Sequence, residues 1–530
     1  MKKLLCILIF IITIQNPLFA ESNESIENIE TSANSANTSN TESVESIIES
    51  ENILISPNSK ITSDNKNSPT TIWDYARQDF ITDALSGNMS FFDTKKQEII
   101  DKEVEQNLGI KLIPTDLETC LKAAVEHNYT LKEKKFETRQ NLWEKRNAYA
   151  QFLPTAEYNY SIYWLSGTFL VGGIVQDHVH EIPIQSNFTF NWDFFDKGKS
   201  FFGVSQRRSL YKASIAMQEF TREEVILKTA TEYYTLLKNK TEIDIYATNM
   251  LDRKAQYDLT NARFQVGVGT KFDIYRAEAE LAKAKQQYIT AFNAIRTTQA
   301  KLANTTGIDV LTPLYPKDNV INEKNLSDIE VDKLIELSKK ERQDIVAERK
   351  KISAMKAERS SQYTDFIPSV NAGFVYAKNG VKRFGLYPST TFLITVNAPL
   401  GKRLGIGTFT KIKAYNEQIK AMETALIQKL RDIEASIITS KQDSASAKER
   451  IEASKKELFA AEKSLESSIV LMNTGEATFL DVIQAQGLKV AAQVGLAQNI
   501  ADYNISQVQI LFDAGIISVD SILNGVNYKP

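Results

Sequence analysis

Two stretches of the chain combine a helical repeat of apolar residues with a complete lack of helix-breaking residues. Neither proline nor glycine occurs in residues 204–266 or in residues 408–474. In the first stretch, steps of three and four residues place alanines and larger apolar side chains on one stripe, from Ala213 and Ala216 to Ala262. Each stretch therefore predicts a helix of ~65 residues, ~100 Å long at 1.5 Å per residue. The alanine-rich stripe allows close helix packing, and its near-heptad spacing predicts a supercoil.

A second pattern, with apolar residues at every other position, precedes each long stretch. It predicts two short strands before the first long helix and two before the second. The apolar positions are Tyr158, Tyr160, Ile162 and Trp164; Phe188, Phe190 and Trp192; Val370, Ala372, Phe374 and Tyr376; and Phe392, Ile394, Val396 and Ala398. These runs approach the roughly 9–11 residues of a tilted membrane strand. A pair of soluble hairpins packed on helices is the alternative interpretation of this pattern.

The same succession of patterns occurs twice, which indicates an internal duplication. The tripeptide Phe-Leu-Pro at 152–154 returns as Phe-Ile-Pro at 366–368, 214 residues later. The pattern Gly-x-x-Thr-x-x-Asp-x-x-x-Ala at 267–277 returns at 475–485, 208 residues later. Because all these features keep the same order in both halves, we expect two copies of one structural plan.

The duplication sets the predicted domain organisation. Each copy begins with a helical segment that a proline ends, at residues 117–150 in the first copy and 331–361 in the second. Two strands, a long helix, a glycine-containing turn and an antiparallel returning helix follow. The predicted divisions are a signal peptide (1–20), a leader (21–70), an N-terminal extension of unassigned role (71–114), the first repeat (115–307), an inter-repeat equatorial segment (308–330), the second repeat (331–515) and a C-terminal tail (516–530).

The N-terminal residues carry signals for export and for disorder. Lys2 and Lys3 precede the apolar run 4–14, and the small Ala20 follows. This arrangement is typical of a secretory signal peptide, and the apolar run is too short for a membrane anchor. Residues 21–70 are rich in Ser and Asn and contain no aromatic residue, which predicts a disordered leader.

Charge and cysteine content exclude several classes of function. The formal net charge is −3 and the sequence pI is near 6.0, so the chain lacks the basic footprint of a nucleic-acid-binding protein. Once Cys6 leaves with the signal peptide, Cys120 has no partner within the chain for a disulfide. Three histidines give a metal site little material. We therefore predict no metal, no cofactor and no catalytic site.

Four strands in one chain cannot close a barrel, and an open sheet edge is not tolerated in lipid. If the strands cross a membrane, several chains must share one barrel, and three chains supply twelve strands. The long helices of all chains would continue that barrel as a cylinder ~100 Å long. The predicted fold is a mixed α/β membrane protein, with long antiparallel α-helical coiled coils forming a tunnel and four strands per chain in a shared trimeric 12-stranded β-barrel. Such an assembly is a conduit.

These features resemble the TolC-type family of outer-membrane efflux and secretion channels. The resemblance rests on the signal peptide, the duplicated plan, Phe-x-Pro before each hairpin and V-G-x-x-T-x-x-D at the helical turn, and it covers roughly residues 115–515. It implies a homotrimer in the cell outer membrane with a helical tunnel in the periplasm. It implies the role of exit duct in a tripartite efflux pump or a type I secretion system. The implied partners are outer-membrane lipid, a periplasmic adaptor and an inner-membrane pump or ABC transporter.

The same resemblance assigns functional positions at the two helical turns. They match the inner end of the tunnel, where adaptor hairpins dock: Val266, Gly267, Val268 and Thr270 in the first turn, and Thr474, Gly475 and Thr478 in the second. Asp273 and Asp481 match aspartates that would form a charged ring at the periplasmic entrance. An acidic residue interacting with its own helix dipole is the alternative for both. Gln484 and Ala477 depart from the acidic and arginine residues that some members carry there, which weakens a charged latch.

Two other motif-like clusters give little support for a metal or phosphate site. Residues 177–181 contain a His-x-His motif, which can chelate a metal on a strand, but they fall between the predicted strands of the first hairpin, where we expect an exposed loop. The glycines at 401–407 lack the Gly-Lys-Ser/Thr ending of a phosphate loop. Two other classes of function stay open on the sequence alone. One is a soluble periplasmic coiled-coil adaptor or scaffold, which would need a separate β-rich domain. The other is an enzyme, which would need a clustered acid/base or nucleophile motif.

Overall fold

The computed structural model describes residues 113–171, 174–317, 325, 329–382, 385–398 and 406–525. The predicted signal peptide (1–20), the leader (21–70) and nearly all of the N-terminal extension (71–114) lie outside the described residues, so they stay predictions. The chain divides into residues 1–68 and 69–530, and every described residue belongs to the second unit.

Helices dominate the described elements, and the described strands form three sheets. In chain order the elements are β1 (Ile113–Thr115), α1 (Leu117–His127), α2 (Tyr129–Ala150), β2 (Thr155–Ile162), β3 (Leu165–Val171), β4 (Ile174–Glu181), β5 (Pro183–Phe195), α3 (Lys199–Gln265), α4 (Lys271–Thr306), β6 (Leu314–Pro316), α5 (Val331–Glu341), α6 (Gln343–Tyr363), β7 (Ser369–Val381), β8 (Gly385–Asn397), α7 (Ile406–Thr474), α8 (Phe479–Asp513) and α9 (Val519–Asn524).

The two uninterrupted helices that the sequence predicts are α3 and α7. They contain 67 and 69 residues, so each is ~100 Å long at 1.5 Å per residue. After the turns, α4 packs along α3, and α8 packs along both α7 and α3. Leu237 of α3, Ile451 of α7 and Ile500 of α8 share one buried cluster. The long-helix prediction is confirmed.

Each shorter helical segment consists of two helices, where the sequence predicts one. Asn128 separates α1 from α2: its side chain accepts a bond from the Leu131 N–H at 3.0 Å and donates to the Thr305 carbonyl at 2.7 Å. Arg342 separates α5 from α6 and is buried with an extended backbone. The breaks therefore depend on side chains that find distant or capping partners, and asparagine and arginine do not by themselves forbid a helix.

The four predicted strands form one antiparallel sheet in the order β2-β5-β7-β8. Its register aligns aromatic residues across the strands, with Tyr158 opposite Phe188, and Phe188 opposite Tyr376. The prediction of four strands with alternating faces is confirmed. β2 and β8 are the two edges of this sheet, and every residue of both is exposed.

The loop expected within the first hairpin is instead a second hairpin. β3 and β4 pair with each other antiparallel, with an irregularity between Gly167 and Phe169. Residues 177–181 belong to β4 and its end, so the expectation of a loop there was wrong. His180 Nδ1 lies 2.9 Å from the Ser166 Oγ across the hairpin. In the described part of the chain, no group of three or more His, Cys, Asp or Glu side chains could hold a metal ion.

Four helices lie side by side in the same order as the strands that they adjoin. α2 packs on α3 through a Glu144–Arg207 ion pair, α3 packs on α6 through a Gln206–Glu358 hydrogen bond, and α6 packs on α7. The order α2-α3-α6-α7 matches the order β2-β5-β7-β8, in which each helix is paired with the strand next to it in the chain. Sheet and helices therefore form one continuous wall.

The described start of the inter-repeat segment packs on α3 and on β1. β6 pairs in parallel with β1, and the buried Lys240 of α3 donates to the Pro316 carbonyl at 3.1 Å. The Lys240 ammonium also lies 4.5 Å from the centroid of the Tyr315 ring. A buried lysine needs such partners because an unpaired charge in the interior is costly.

A buried ionic cluster fixes the α5–α6 junction to α7 and α8. The Arg342 guanidinium donates to Asp344 at 3.0 and 3.1 Å and to the Asp513 carbonyl at 3.2 Å. Lys429 of α7 lies 3.1 Å from the same Asp344 carboxylate. Burial would raise the pKa of Asp344, but Arg342 and Lys429 outweigh that effect and hold the pKa below its usual value.

Glu223 of α3 lies within reach of this cluster's charges. Burial raises the pKa of its carboxyl to about 8, and the negative charges of Asp344 and Glu219 add to the rise. The Arg342 guanidinium opposes the rise only in part. The raised pKa therefore favours the protonated form of this carboxyl in the folded chain.

Among the helices of the described residues, none has both the length and the apolar character that a membrane span requires.

Candidate functional site at the helical turns

Each long helix ends in a turn built around one glycine. Gly267 and Gly475 have φ angles of +82° and +85°, a left-handed conformation that glycine adopts without strain. In both turns the N–H of the next residue donates to the carbonyl five residues earlier, at 2.9 Å. These bonds satisfy carbonyls that the end of the helix would leave unpaired.

The returning helices begin with identical caps. The side chain of Thr270 accepts from the Asp273 N–H, and the Asp273 carboxylate accepts from the Thr270 N–H at 3.2 Å and from its hydroxyl at 2.6 Å. Thr478 and Asp481 repeat the arrangement, with the corresponding bonds at 2.8 and 2.6 Å. Both turns therefore carry a complete capping box. Thr270 and Thr478 therefore cap the two returning helices.

Both aspartates predicted for the entrance have a local partner in their own cap. The bonds that Asp481 accepts from Thr478 hold the pKa of its carboxyl below the usual value. A carboxylate at the first turn of a helix also interacts favourably with the helix dipole. These contacts explain the aspartates within one chain, and the charged ring at the entrance stays a prediction.

The first turn exposes a group of large apolar side chains. Val266 and Val268 are 74% and 80% exposed, and Phe272 and Tyr275 on the first turns of α4 are also largely exposed. The sequence analysis did not single out Phe272 and Tyr275, although their spacing of three residues after a capping threonine places them on one helix face. Large exposed apolar groups of this kind mark a surface that contacts a partner.

The second turn has the same backbone but a more polar surface. Thr474, Gly475 and Glu476 are exposed, and the Thr474 hydroxyl donates to the Leu471 carbonyl at 3.0 Å. Thr474 and Glu476 stand where the first turn has Val266 and Val268.

A buried polar cluster joins α3 to α8 ~21 Å from the first turn, counted as 14 residues from Gly267. The Arg253 guanidinium donates to the Ile483 carbonyl at 3.1 Å, and Gln256 donates to Gln486 at 2.6 Å. Gln486 in turn donates to Asp252 at 2.9 Å. Burial lowers the pKa of Arg253. This cluster could not be predicted from sequence, because its members lie about 230 residues apart and each looks like an ordinary surface residue of a helix.

Comparison with known proteins finds a family resemblance over part of this chain. Residues 121–308, from within α1 to just past α4, match the sequence model of the family described as outer membrane efflux protein. In that part the chain is similar to outer membrane efflux proteins. One relative is outer membrane protein TolC of Vibrio cholerae, which is 22% identical over 320 residues, or 57% of this chain and 70% of that protein.

Solved structures share the fold of this chain. The CmeC outer membrane channel of Campylobacter jejuni matches with a TM-score of 0.67 at 16% identity, over 89% of this chain and 99% of that one. The outer membrane protein VceC of Vibrio cholerae matches with a TM-score of 0.61 at 19% identity, over 75% and 96% of the two chains. The fold predicted from sequence, long antiparallel helices with four strands of one sheet, is therefore confirmed.

Proposed function

We propose that this chain forms the outer-membrane exit duct of a tripartite efflux pump or a type I secretion system, and passively conducts small molecules or polypeptides from the periplasm to the exterior. The observation that carries the proposal is the continuous wall, in which a sheet with two exposed edges runs directly into helices ~100 Å long. The relatives named above are outer-membrane proteins and channels, which favours a conduit over a soluble adaptor.

The wall of one chain is completed by two further copies. The unpaired edges β2 and β8 each need a partner strand in lipid. Three copies joined edge to edge give twelve strands, enough for a closed barrel with an open interior. The helices that adjoin the strands close into a tunnel at the same time. The chain would then sit in the cell outer membrane with its helices in the periplasm.

The turns at the far ends of the long helices are the proposed docking points for a periplasmic adaptor, which would connect the duct to an inner-membrane pump or ABC transporter. The exposed valines of the first turn support this role, because they give another helical hairpin an apolar contact. Gly267 and Gly475 lack side chains that would keep a partner away. Asp273 and Asp481 would ring the entrance once three copies surround it.

The test of the duct is direct. The full-length protein is expressed in a Gram-negative host, the outer membrane is separated, and the detergent-solubilised protein is weighed by light scattering and added to planar lipid bilayers. We expect a trimer from the outer-membrane fraction that conducts ions. A soluble monomer without conductance would refute the proposal.

The docking turns are tested separately with a matched pair of substitutions. Val268→Glu places a charge on the first turn, and Leu311→Glu places one on an equally exposed apolar residue (80% for both) far from the turns. We expect Val268→Glu to abolish adaptor-dependent efflux while conductance in bilayers persists, and Leu311→Glu to leave both intact. If both substitutions reduced efflux equally, the proposed docking role of the first turn would be refuted.

A further inference from the structure

Three aromatic side chains form an exposed stripe along α2. They lie seven residues apart and are 72%, 64% and 61% exposed: Tyr129, Phe136 and Trp143. A cation three residues further on approaches each ring, at 5.1, 5.8 and 4.6 Å from the centroid: Lys132, Arg139 and Arg146. In the part of the chain that the structure describes, all three rings stay exposed. An apolar face of this size on a helix calls for a partner surface.

The aromatic stripe faces away from the rest of the chain. α2 packs on α3 through Thr138, whose hydroxyl lies 3.3 Å from the Ser214 carbonyl, and through Lys145, which lies over the Tyr211 ring. Phe136 precedes Thr138 by two residues, so it points about 160° away around the helix. Because α2 leads into the edge strand β2, the aromatic stripe lies on the side where the wall of this chain stops.

The other end of the wall offers a surface of small residues. α7 follows the opposite edge strand, β8, and packs on α6 with Ile412 and Ile419 buried. Ala414 and Ala421 follow those isoleucines by two residues, so they too point about 160° away. Both alanines are exposed. Gln428, seven residues after Ala421, continues this alanine side of α7 and is also exposed.

The internal duplication supplies a template for how the two surfaces meet. On α3, the positions equivalent to the alanine side, 208 residues earlier, are Gln206, Ala213 and Phe220. These face α6: Gln206 bonds to Glu358, Phe220 lies under the Arg342 guanidinium at 5.8 Å, and Ala213 is only 3% exposed. The duplicated copy of this surface on α7 has no helix against it within the described part of the chain.

The same template fixes the register. Glu358 of α6 corresponds to Glu144 of α2, 214 residues earlier. By this correspondence, the Gln206–Glu358 contact within one chain predicts that Ala414 of one chain lies beside Glu144 of the next. Since the helices run antiparallel, each aromatic residue then lies level with one residue of the alanine side: Trp143 with Ala414, Phe136 with Ala421 and Tyr129 with Gln428.

We propose that the aromatic stripe of α2 packs on the alanine side of α7 in a second copy of this chain. The inference rests on the proposed duct and adds the residues of the seam between its subunits. Large rings opposite alanines allow two helices to approach closely while filling the space between them. Arg139 lies level with Glu417 of the neighbouring α7, which gives the guanidinium a carboxylate partner at the rim.

Paired cysteine substitutions test the register of this seam. Phe136→Cys is combined with Ala421→Cys, or in the control with Lys420→Cys, which is at nearly the same level but about 100° around α7. A disulfide requires Cβ atoms roughly 3.5–4.5 Å apart. Cys120 does not interfere, because it is buried and burial raises its pKa to about 12. We expect oxidation in outer membranes to link positions 136 and 421 of neighbouring chains on the order of tenfold more than positions 136 and 420.

The outcomes separate the seam from the duct. The molecular mass of each unoxidised variant is first measured by light scattering in detergent to establish that it forms trimers. Trimers that link through position 421 and not through position 420 support the seam. Trimers that link equally through both, or through position 420 alone, overturn the seam and leave the proposed duct standing. Monomers that never link overturn both.

Discussion

Removing one hydroxyl by Thr478→Ala tests whether Asp481 primarily holds the start of α8. Three bonds join the pair: two donated by Thr478 to the carboxylate, at 2.8 and 2.6 Å, and one from the Asp481 N–H to the threonine hydroxyl, at 3.4 Å. Losing a capping threonine costs about 1 kcal/mol. Thr478 and Asp481 are both exposed at the start of α8, so we expect the lost energy to appear as local opening of this helix end. At 1.4 kcal/mol per factor of ten, the open population rises about fivefold.

The measurement is hydrogen exchange of the intact assembly followed by mass spectrometry of peptides that cover residues 476–485. We expect exchange there to accelerate about fivefold in Thr478→Ala and to stay near the wild-type rate in Thr478→Ser, which keeps the hydroxyl. Thr474→Ala is the matched control, because its hydroxyl bonds to Leu471 on the preceding helix. Unchanged exchange in Thr478→Ala would refute the capping argument.

The same substitutions separate the cap from a charged entrance. If Asp481 acts only through the cap, Asp481→Asn and Thr478→Ala loosen the turn alike and leave ion selectivity in planar bilayers unchanged. If three copies of Asp481 ring the entrance, Asp481→Asn lowers the preference for cations and Thr478→Ala does not. Single-channel reversal potentials in a salt gradient distinguish the two results.

Three further predictions follow from the buried groups and the turns. Glu223→Gln should stabilise the chain by about 4 kcal/mol more at pH 9 than at pH 5. A carboxyl with a folded pKa of about 8 contributes stability that is complete below the pKa of the unfolded chain and is lost as pH rises through 8. A variant whose thermal stability keeps the wild-type dependence on pH would contradict this. Arg342→Met should lower the free energy of unfolding by about 3–5 kcal/mol, because it leaves the buried Asp344 without its main partner. Lys340→Met, at an exposed site, is the control in the same thermal unfolding experiment. Gly267→Ala should destabilise the first turn by about 1–2 kcal/mol from its positive φ alone, since nothing lies within 4 Å of the new Cβ. Hydrogen exchange at the first turn measures this destabilisation, and an unchanged exchange rate would contradict the strain argument.

The parts of the fold that local chemistry dictates could be predicted from the sequence. The long helices follow from stretches without proline or glycine, the strands from alternating apolar residues, and the turns from Gly267 and Gly475 with their capping threonines. In each case the residues that specify the structure are neighbours in the chain. The duplication strengthened the fold prediction, because a weak pattern that occurs twice in the same order constrains the fold more than one occurrence does.

The parts that depend on distant partners could not be predicted. Asn128 interrupts a helix because its side chain bonds to Thr305, 177 residues away. Arg253 is buried because Ile483 offers it a carbonyl, and the Gln486 that completes the cluster looks like any polar residue on a helix surface. Such residues carry no local signal that separates them from solvated ones. The hairpin of β3 and β4 was missed for a related reason, since its polar residues 177–181 do not show the alternation of a strand with one buried face.

The two turns have the same backbone conformation and the same cap, so they differ mainly in the side chains that they expose. The duplication has kept the glycine, the threonine and the aspartate, which are the residues that the backbone of each turn requires. It has not kept Val266 and Val268, whose places are taken by Thr474 and Glu476. Because none of these four side chains is needed to form the turn, their chemistry is free to serve contacts outside the chain. An adaptor that contacts both turns would therefore meet alternating apolar and polar tips around the tunnel end. We expect the apolar first turn to supply most of the docking affinity and the second turn to supply selectivity through hydrogen bonds.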